Sequence, residues 1–248
     1  MSYPTTSSAS DVWSLRDVYK AEAGDEWPTT DAPFDAVALL INADGLANGS
    51  TDFDDASNNN LSLTVNDTAQ VNTTTKKYGT GSIYLPTQAS AVIVPSSSEL
   101  VFGTDDFCVE AWVYPQVGGD GQNVFFGNLT NSAAGQVSFS RSSGGVIRFT
   151  GYSAIHIAGS TVVSNNSWTH VAVSREGTTM RLFIDGTLDA TASNSTDFDK
   201  QNSFYVGRFG SGFTTGDFVG YIDDLRVTTG FARYTANFTP PTEALPTS

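Results

Sequence analysis

Apolar residues recur at every second position along much of the chain, most regularly in residues 168–186, WTHVAVSREGTTMRLFIDG. Thr169, Val171 and Val173 alternate with Trp168, His170 and Ala172. Past a polar turn, Met180, Leu182 and Ile184 alternate with Arg181, Phe183 and Asp185. A period of two is the signature of a strand that buries one face. The segment Arg175-Glu176-Gly177-Thr178-Thr179 between the runs holds a glycine free to take positive φ, so the stretch reads as a β-hairpin. Asp185-Gly186 is a second tight-turn signal that leads directly into another strand.

The same patterning predicts a first strand over the apolar run Val37 to Asn42, then a loop over 43–60 rich in Asp, Asn, Gly and Ser. Further strands are expected near 61–65, 82–85, 91–94, 107–114, 123–128, 136–140, 146–150, 154–157, 187–192, 204–208 and 218–228, with Pro86, Pro95 and Pro115 closing three of them. No helical periodicity is sustained after Gly24 and no internal repeat is evident, so one all-β domain of antiparallel strands accounts for the pattern. Strand 107–114 carries two rows: Phe107, Val109, Ala111 and Val113 on one face, Cys108, Glu110, Trp112 and Tyr114 on the other. Glu110, Trp112, Trp168, His170 and Phe183 can share that second face, which either lines a concave surface or is covered by loops as a secondary core. The apolar run Phe231 to Phe238 is expected to pack back along the domain, and residues 239–248 form a short Pro-rich tail.

Ahead of the strands, Ser14-Leu15-Arg16-Asp17 has the form of a capping box, with Trp13 and Val18 at the two positions of a hydrophobic staple and Gly24 as a stop. A short N-terminal helix, Leu15 to Ala23, is predicted. It is too short to be stable alone in water, so Trp13, Leu15, Val18, Tyr19 and Trp27 must pack on the β-domain or on a partner.

The 248 residues are enough for one large β-domain with a sizeable core. A net charge of −14 opposes nucleic-acid binding, which needs clustered Lys and Arg. Acidity favours solubility, cation binding or contact with neutral surfaces such as glycans. The one cysteine, Cys108, cannot form an internal disulfide and suits a buried strand position. No apolar run is long enough to span a bilayer, and the N-terminus lacks the charged and apolar regions of a secretory signal. Synthesis in a cytosol without membrane insertion is therefore expected, and release by lysis would reconcile it with a composition suited to an exposed β-protein.

The run W-x-H-V-A-V, a charged turn and a strand ending L-F-I-D-G together resemble the central hairpin of laminin G-like, concanavalin A-type jelly-roll domains. Gly81 to Leu85, Phe107 to Tyr114, Tyr205 to Arg208 and Gly220 to Val227 resemble other motifs of that family in the same order, and the resemblance covers roughly residues 34–238. It implies a sandwich of two antiparallel sheets. Many such domains hold a structural calcium between an N-terminal loop and an acid in the last strand, and Asp44, Asp223 and Asp224 match those positions. Asp52, Asp54 and Asp55 are further candidates, without the spacing of an EF-hand. A second resemblance, of W-S-L-R-D-V-Y followed by W-P, is to a segment of structural proteins of marine tailed bacteriophages. It implies that residues 1–33 anchor the chain to a virion, on capsid or tail, beside other virion proteins and in a homo-oligomer or many copies. The domain at 34–238 would then be displayed to bind host-surface glycan, with Tyr114, Tyr152, Phe209 and Phe213 as candidate aromatic contacts. A non-viral bacterial carbohydrate-binding or adhesion module is the alternative.

Catalysis is not expected. Retaining hydrolases of this fold carry Glu-x-Asp-x-x-Glu on one strand, and Glu110 has no carboxylate two or four places away on its strand. His156 and His170 lie near no nucleophile elbow, and two histidines with one cysteine give no zinc spacing.

Overall fold

The computed structural model describes residues 34–116, 123–130, 134–152, 154–210 and 218–247. The helix expected at 15–23, with Trp13, Leu15, Val18, Tyr19 and Trp27, lies outside the described residues, as does Phe213. The described residues form two antiparallel sheets, the jelly-roll sandwich that the family resemblance implies. The strands are β1 (Val37–Ile41), β2 (Thr64–Asn66), β3 (Gln70–Asn72), β4 (Ser82–Leu85), β5 (Ala91–Val94), β6 (Phe107–Pro115), β7 (Asn123–Gly127) and β8 (Ser138–Arg141), then β9 (Val146–Thr150), β10 (Ile155–Val162), β11 (Thr169–Glu176), β12 (Thr179–Ile184), β13 (Thr187–Ser193), β14 (Phe204–Val206) and β15 (Gly220–Thr229). The first sheet runs β13-β12-β11-β6-β15-β4-β3, with β1 also paired to β15; the second runs β10-β9-β8-β7-β14-β5-β2.

Side-chain alternation decides what lies between the sheets. Val109, Ala111, Val113, Val171, Val173, Ile222, Leu225 and Val227 of the first sheet pack against Val92, Val94, Phe125, Phe139, Ile147, Phe149, Phe204 and Val206 of the second in one core. Burying these side chains supplies the main driving force for the fold.

The hairpin at 169–184 forms as its pattern predicts, but its turn has two residues, not five. Glu176 pairs with Thr179, leaving Gly177-Thr178 as the turn, with Gly177 at φ +55°. Arg175 is drawn into β11 because its guanidinium is caged. Nε donates to Asp105 O at 2.9 Å, Nη1 to Thr196 O at 2.9 Å and Nη2 to Gly103 O at 2.7 Å, while the rings of Phe107 and Phe198 lie 5.0 and 4.9 Å from its central carbon. The next turn, Asp185-Gly186, has both residues at positive φ, as a type I′ hairpin requires.

Three further departures have local causes. The strand expected at 61–65 begins at Thr64, because buried Asp55 accepts from the Leu61, Leu40 and Ser57 amides and holds the chain before it in a loop. Strand β3 carries one apolar side chain between two polar ones, too little alternation to read. β10 runs to Val162, beyond its expected end, through largely exposed residues. Asp189 of β13 holds that extension, accepting from the Ser160 amide at 2.9 Å, the Thr161 amide at 3.1 Å and the Thr161 hydroxyl at 2.7 Å. One carboxylate thus ties the edge strands of the two sheets together.

The C-terminal run packs back as expected, over the outer face of the first sheet. Tyr234 and Phe238 stack on each other at 3.5 Å, and Phe238 meets the edges of Phe183 and His170 at 5.4 and 5.7 Å. The Phe238 amide donates to Gly186 O at 2.9 Å. Beyond it the Pro-rich tail is also engaged, since Leu245 is buried with Val37 and Leu40.

Candidate functional site

The outer face of the first sheet gathers Glu110, Trp112, Tyr114, His170 and Phe183. Under the C-terminal strap lies Glu110, fully buried. Its Oε1 accepts from Arg226 Nη2 at 2.7 Å and Nε at 2.9 Å; its Oε2 accepts from the Tyr234 hydroxyl at 2.7 Å and lies 3.1 Å from His170 Nε2. Burial alone would raise the Glu110 pKa, but Arg226 and His170 outweigh it and hold the carboxyl well below the usual range. Burial, with the Glu110 charge behind it, pushes the Tyr234 phenol and the Cys108 thiol up. Of the two readings of this face, the covered one holds for Glu110, His170 and Phe183, beneath the strap, and for Trp112, beneath Lys77 and Tyr78.

Next to that network, a bulge in β15 between Asp223 and Arg226 sets Asp223 and Asp224 side by side, both buried, with Asp224 at φ +48°. Asp223 Oδ2 accepts from the amides of Lys77 at 2.8 Å and Tyr78 at 3.2 Å; Asp224 accepts from the Leu245 amide at 3.3 Å. Asp44 Oδ1 accepts from the Thr80 amide and hydroxyl and from the Gly81 amide. A Cβ at Gly79 would overlap the Asp44 carboxylate, so the chain approaches it as only glycine can. Segment 77–81 is therefore strung between carboxylates from the loop after β1 and from β15. Burial and the neighbouring Asp224 charge raise the Asp223 pKa to about 8; burial, offset in part by the Leu245 amide and reinforced by the Asp44 charge, raises that of Asp224 to about 7. Among the described residues no three acidic, histidine or cysteine side chains converge on a point, so a cation here would need carbonyl oxygens beside the carboxylates. Two adjacent buried acids and a third close enough to repel both supply oxygen donors of the kind calcium takes, while the 77–81 turn offers them amide hydrogens. Asp55 serves the fold of its own loop, while Asp52 and Asp54 are exposed.

The aromatic candidates do not converge on one element. Tyr114 stands on β6, 5.5 Å from Trp168 and 5.7 Å from Tyr221 between ring centres. Tyr152 lies in the loop after β9, 51% exposed. Phe209 follows β14, where its carbonyl accepts from the Leu129 amide at 2.8 Å. Sequence reasoning did not bring Tyr84 and Tyr221 into the site. Both stand on the non-core face of their strands, but only the β4-β15-β6 pairing reveals that they neighbour Tyr114.

These features sit on a fold with known relatives. Residues 86–231 match the family model for the concanavalin A-like lectin/glucanases superfamily, of laminin G type, and the chain belongs to that family. Among solved structures, it is similar to the binding domain of Paraclostridial Mosquitocidal Protein 1 (17% identity, TM-score 0.62), covering 81% of this chain and 50% of that one. It is also similar to the botulinum neurotoxin serotype G binding domain (15% identity, TM-score 0.58), over 82% of this chain and 48% of that one. A third likeness is to domain 4 of AbnA, a GH43 extracellular arabinanase from Geobacillus stearothermophilus, in complex with arabinotriose, at 19% identity and TM-score 0.59, covering 79% of this chain and 93% of that one. The chain thus spans about half the length of the two toxin domains and nearly all of the arabinanase domain. At these identities the likeness is one of fold. No curated protein matches the chain. No helix among the described residues is long and apolar enough to cross a membrane.

Proposed function

We propose that this chain is a glycan-binding module without catalytic activity, displayed on a bacteriophage capsid or tail and carried there by residues 1–33. The observation that carries the binding reading is the state of Glu110. The one acid in the strongest strand is locked by Arg226, His170 and Tyr234 beneath the C-terminal strap, in no position to give or take a proton from a sugar. Membership of a lectin and glucanase superfamily, and likeness to a domain solved with arabinotriose, support glycan as the ligand class. The virion placement rests on the N-terminal resemblance; contact with other virion proteins and many copies per particle follow from it. A non-viral carbohydrate-binding or adhesion module remains the rival, favoured by the likeness to an extracellular enzyme's accessory domain.

A structural calcium belongs to the same reading. Asp223 or Asp224 would hold it with Asp44 and loop carbonyls, neutralising the buried charge and joining the loop after β1 to the last strand. Incubating the full chain with neutral and acidic oligosaccharides tests the function. The expected result is saturable binding with the sugars recovered intact; release of shorter products would replace the binding reading with hydrolysis.

A further inference from the structure

One row of side chains crosses the outer face of the first sheet at right angles to its strands. It consists of Gln70 on β3, Tyr84 on β4, Tyr221 on β15, Tyr114 on β6 and Trp168, the residue just before β11. Gln70 is opposite Tyr84, and Tyr221 is paired with Tyr84 on one side and Tyr114 on the other. The pairing of Thr169 with Val113 brings Trp168 beside Tyr114. Ring centres follow one another at 4.6 Å (Tyr84 to Tyr221, stacked), 5.7 Å (Tyr221 to Tyr114) and 5.5 Å (Tyr114 to Trp168). Val71, Ile83, Ile222 and Val113, their neighbours along the strands, point into the core, so the row faces away from it.

Aromatic side chains left partly open to water present an apolar body with a polar tip. Gln70, Tyr84, Tyr114 and Trp168 are half-buried, and Tyr221 between the two tyrosines is buried beneath them. A pyranose or furanose chain has matching amphipathy, with C–H faces for the rings and a rim of hydroxyls for the phenols, the indole N–H and the Gln70 amide. The row carries no charge, in a chain of net charge −14. An anionic glycan would therefore approach an acidic protein with no cation in the row to receive it.

We infer that this row is the ligand surface, and that it takes a neutral, linear glycan lying across the strands. The inference rests on the glycan-binding reading above and gives that reading a place and a ligand class. Among the aromatics singled out from the sequence it selects Tyr114 and leaves Tyr152 and Phe209 outside.

Affinity electrophoresis of the full chain tests it, through gels containing arabinan, galactomannan or hydroxyethylcellulose as neutral glycans and heparin as an anionic one. At least one neutral glycan should retard the protein. Trp168→Ala and Tyr114→Ala, checked by melting curves, should each weaken retardation roughly tenfold, whereas Tyr152→Ala should leave it unchanged. Should the alanine variants fail to fold, Trp168→Phe preserves the packing, and the tryptophan fluorescence change induced by the retarding glycan should vanish in it. Equal retardation of folded wild type, Trp168→Ala and Tyr114→Ala, or an unchanged fluorescence response in Trp168→Phe, would overturn the row while leaving glycan binding standing. Retardation by heparin alone would overturn the neutral class. No retardation by any glycan, with a concentration-dependent dimer that Trp168→Ala abolishes, would make the row a protein interface and remove the glycan reading with it.

Discussion

Glu110 and the Asp223-Asp224 pair are buried acids a few residues apart across adjacent strands, and their surroundings push them in opposite directions. Glu110 faces a guanidinium, so its folded pKa is depressed. Its stabilising contribution is in place above the unfolded carboxylate value of about 4.3 and is lost as pH falls below it. Glu110→Gln leaves Arg226 buried without its counter-charge, which should cost about 3–5 kcal/mol near neutral pH. Urea unfolding checks this: the gap between variant and wild type should narrow on acidification, and a pH-independent gap would mean that packing, not charge, is at stake. Among the described residues no cation forms an ion pair with Asp223, and Asp224 beside it adds repulsion. Asp223→Asn removes an acid that burial and its neighbour force to take up a proton or to stay charged at a cost. In excess chelator it should melt above wild type; in excess calcium it should melt below it, because the proposed ligand is gone. Asp44→Ala should remove most of the calcium dependence. A site held at a hundred times its dissociation constant adds about 2.7 kcal/mol, several degrees in melting temperature for a domain this size. Superimposable melting curves in calcium and chelator would return all three aspartates to the amide-capping roles described above.

At the scale of elements, stability is held by clasps as much as by buried faces. Asp189 secures the exposed half of β10 to β13, and a Cβ at Gly159 would overlap its carboxylate. Asp189→Ala should speed amide exchange in β10 selectively, with a global loss near 1 kcal/mol; uniform acceleration across both sheets would show that the clasp supports the whole sandwich. Such clasps also mark where the sequence is hard to read. The 169–184 hairpin and strand 107–115 are legible because period-two alternation and turn residues agree. β3 and the end of β10 are not, since they persist through pairing and a distant carboxylate and bury almost no side chain of their own. Arg175 looks like a turn residue until the carbonyls that cage it, from residues 103, 105 and 196, are brought together by the fold. The Asp44 and Asp223 proximity could be inferred through family resemblance alone, and the aromatic row needed strand order, which alternation does not supply.

For the whole molecule, the main core among the described residues runs from Ala38 to Val227, with Val37, Leu40 and Leu245 in a smaller cluster beside it. Deleting residues 1–28 should therefore leave a cooperatively melting β-domain that still binds its ligand but no longer enters the particle. Failure of the truncated chain to fold would make that segment part of the core, and normal assembly without it would refute the anchor. The central claim, a binding module whose ligand is a glycan, is tested most directly by applying the folded full-length chain to an array of neutral and acidic glycans, in calcium and in chelator. The account predicts retention on at least one class of neutral glycan, stronger in calcium. A folded, monomeric protein that binds no glycan under either condition would contradict it.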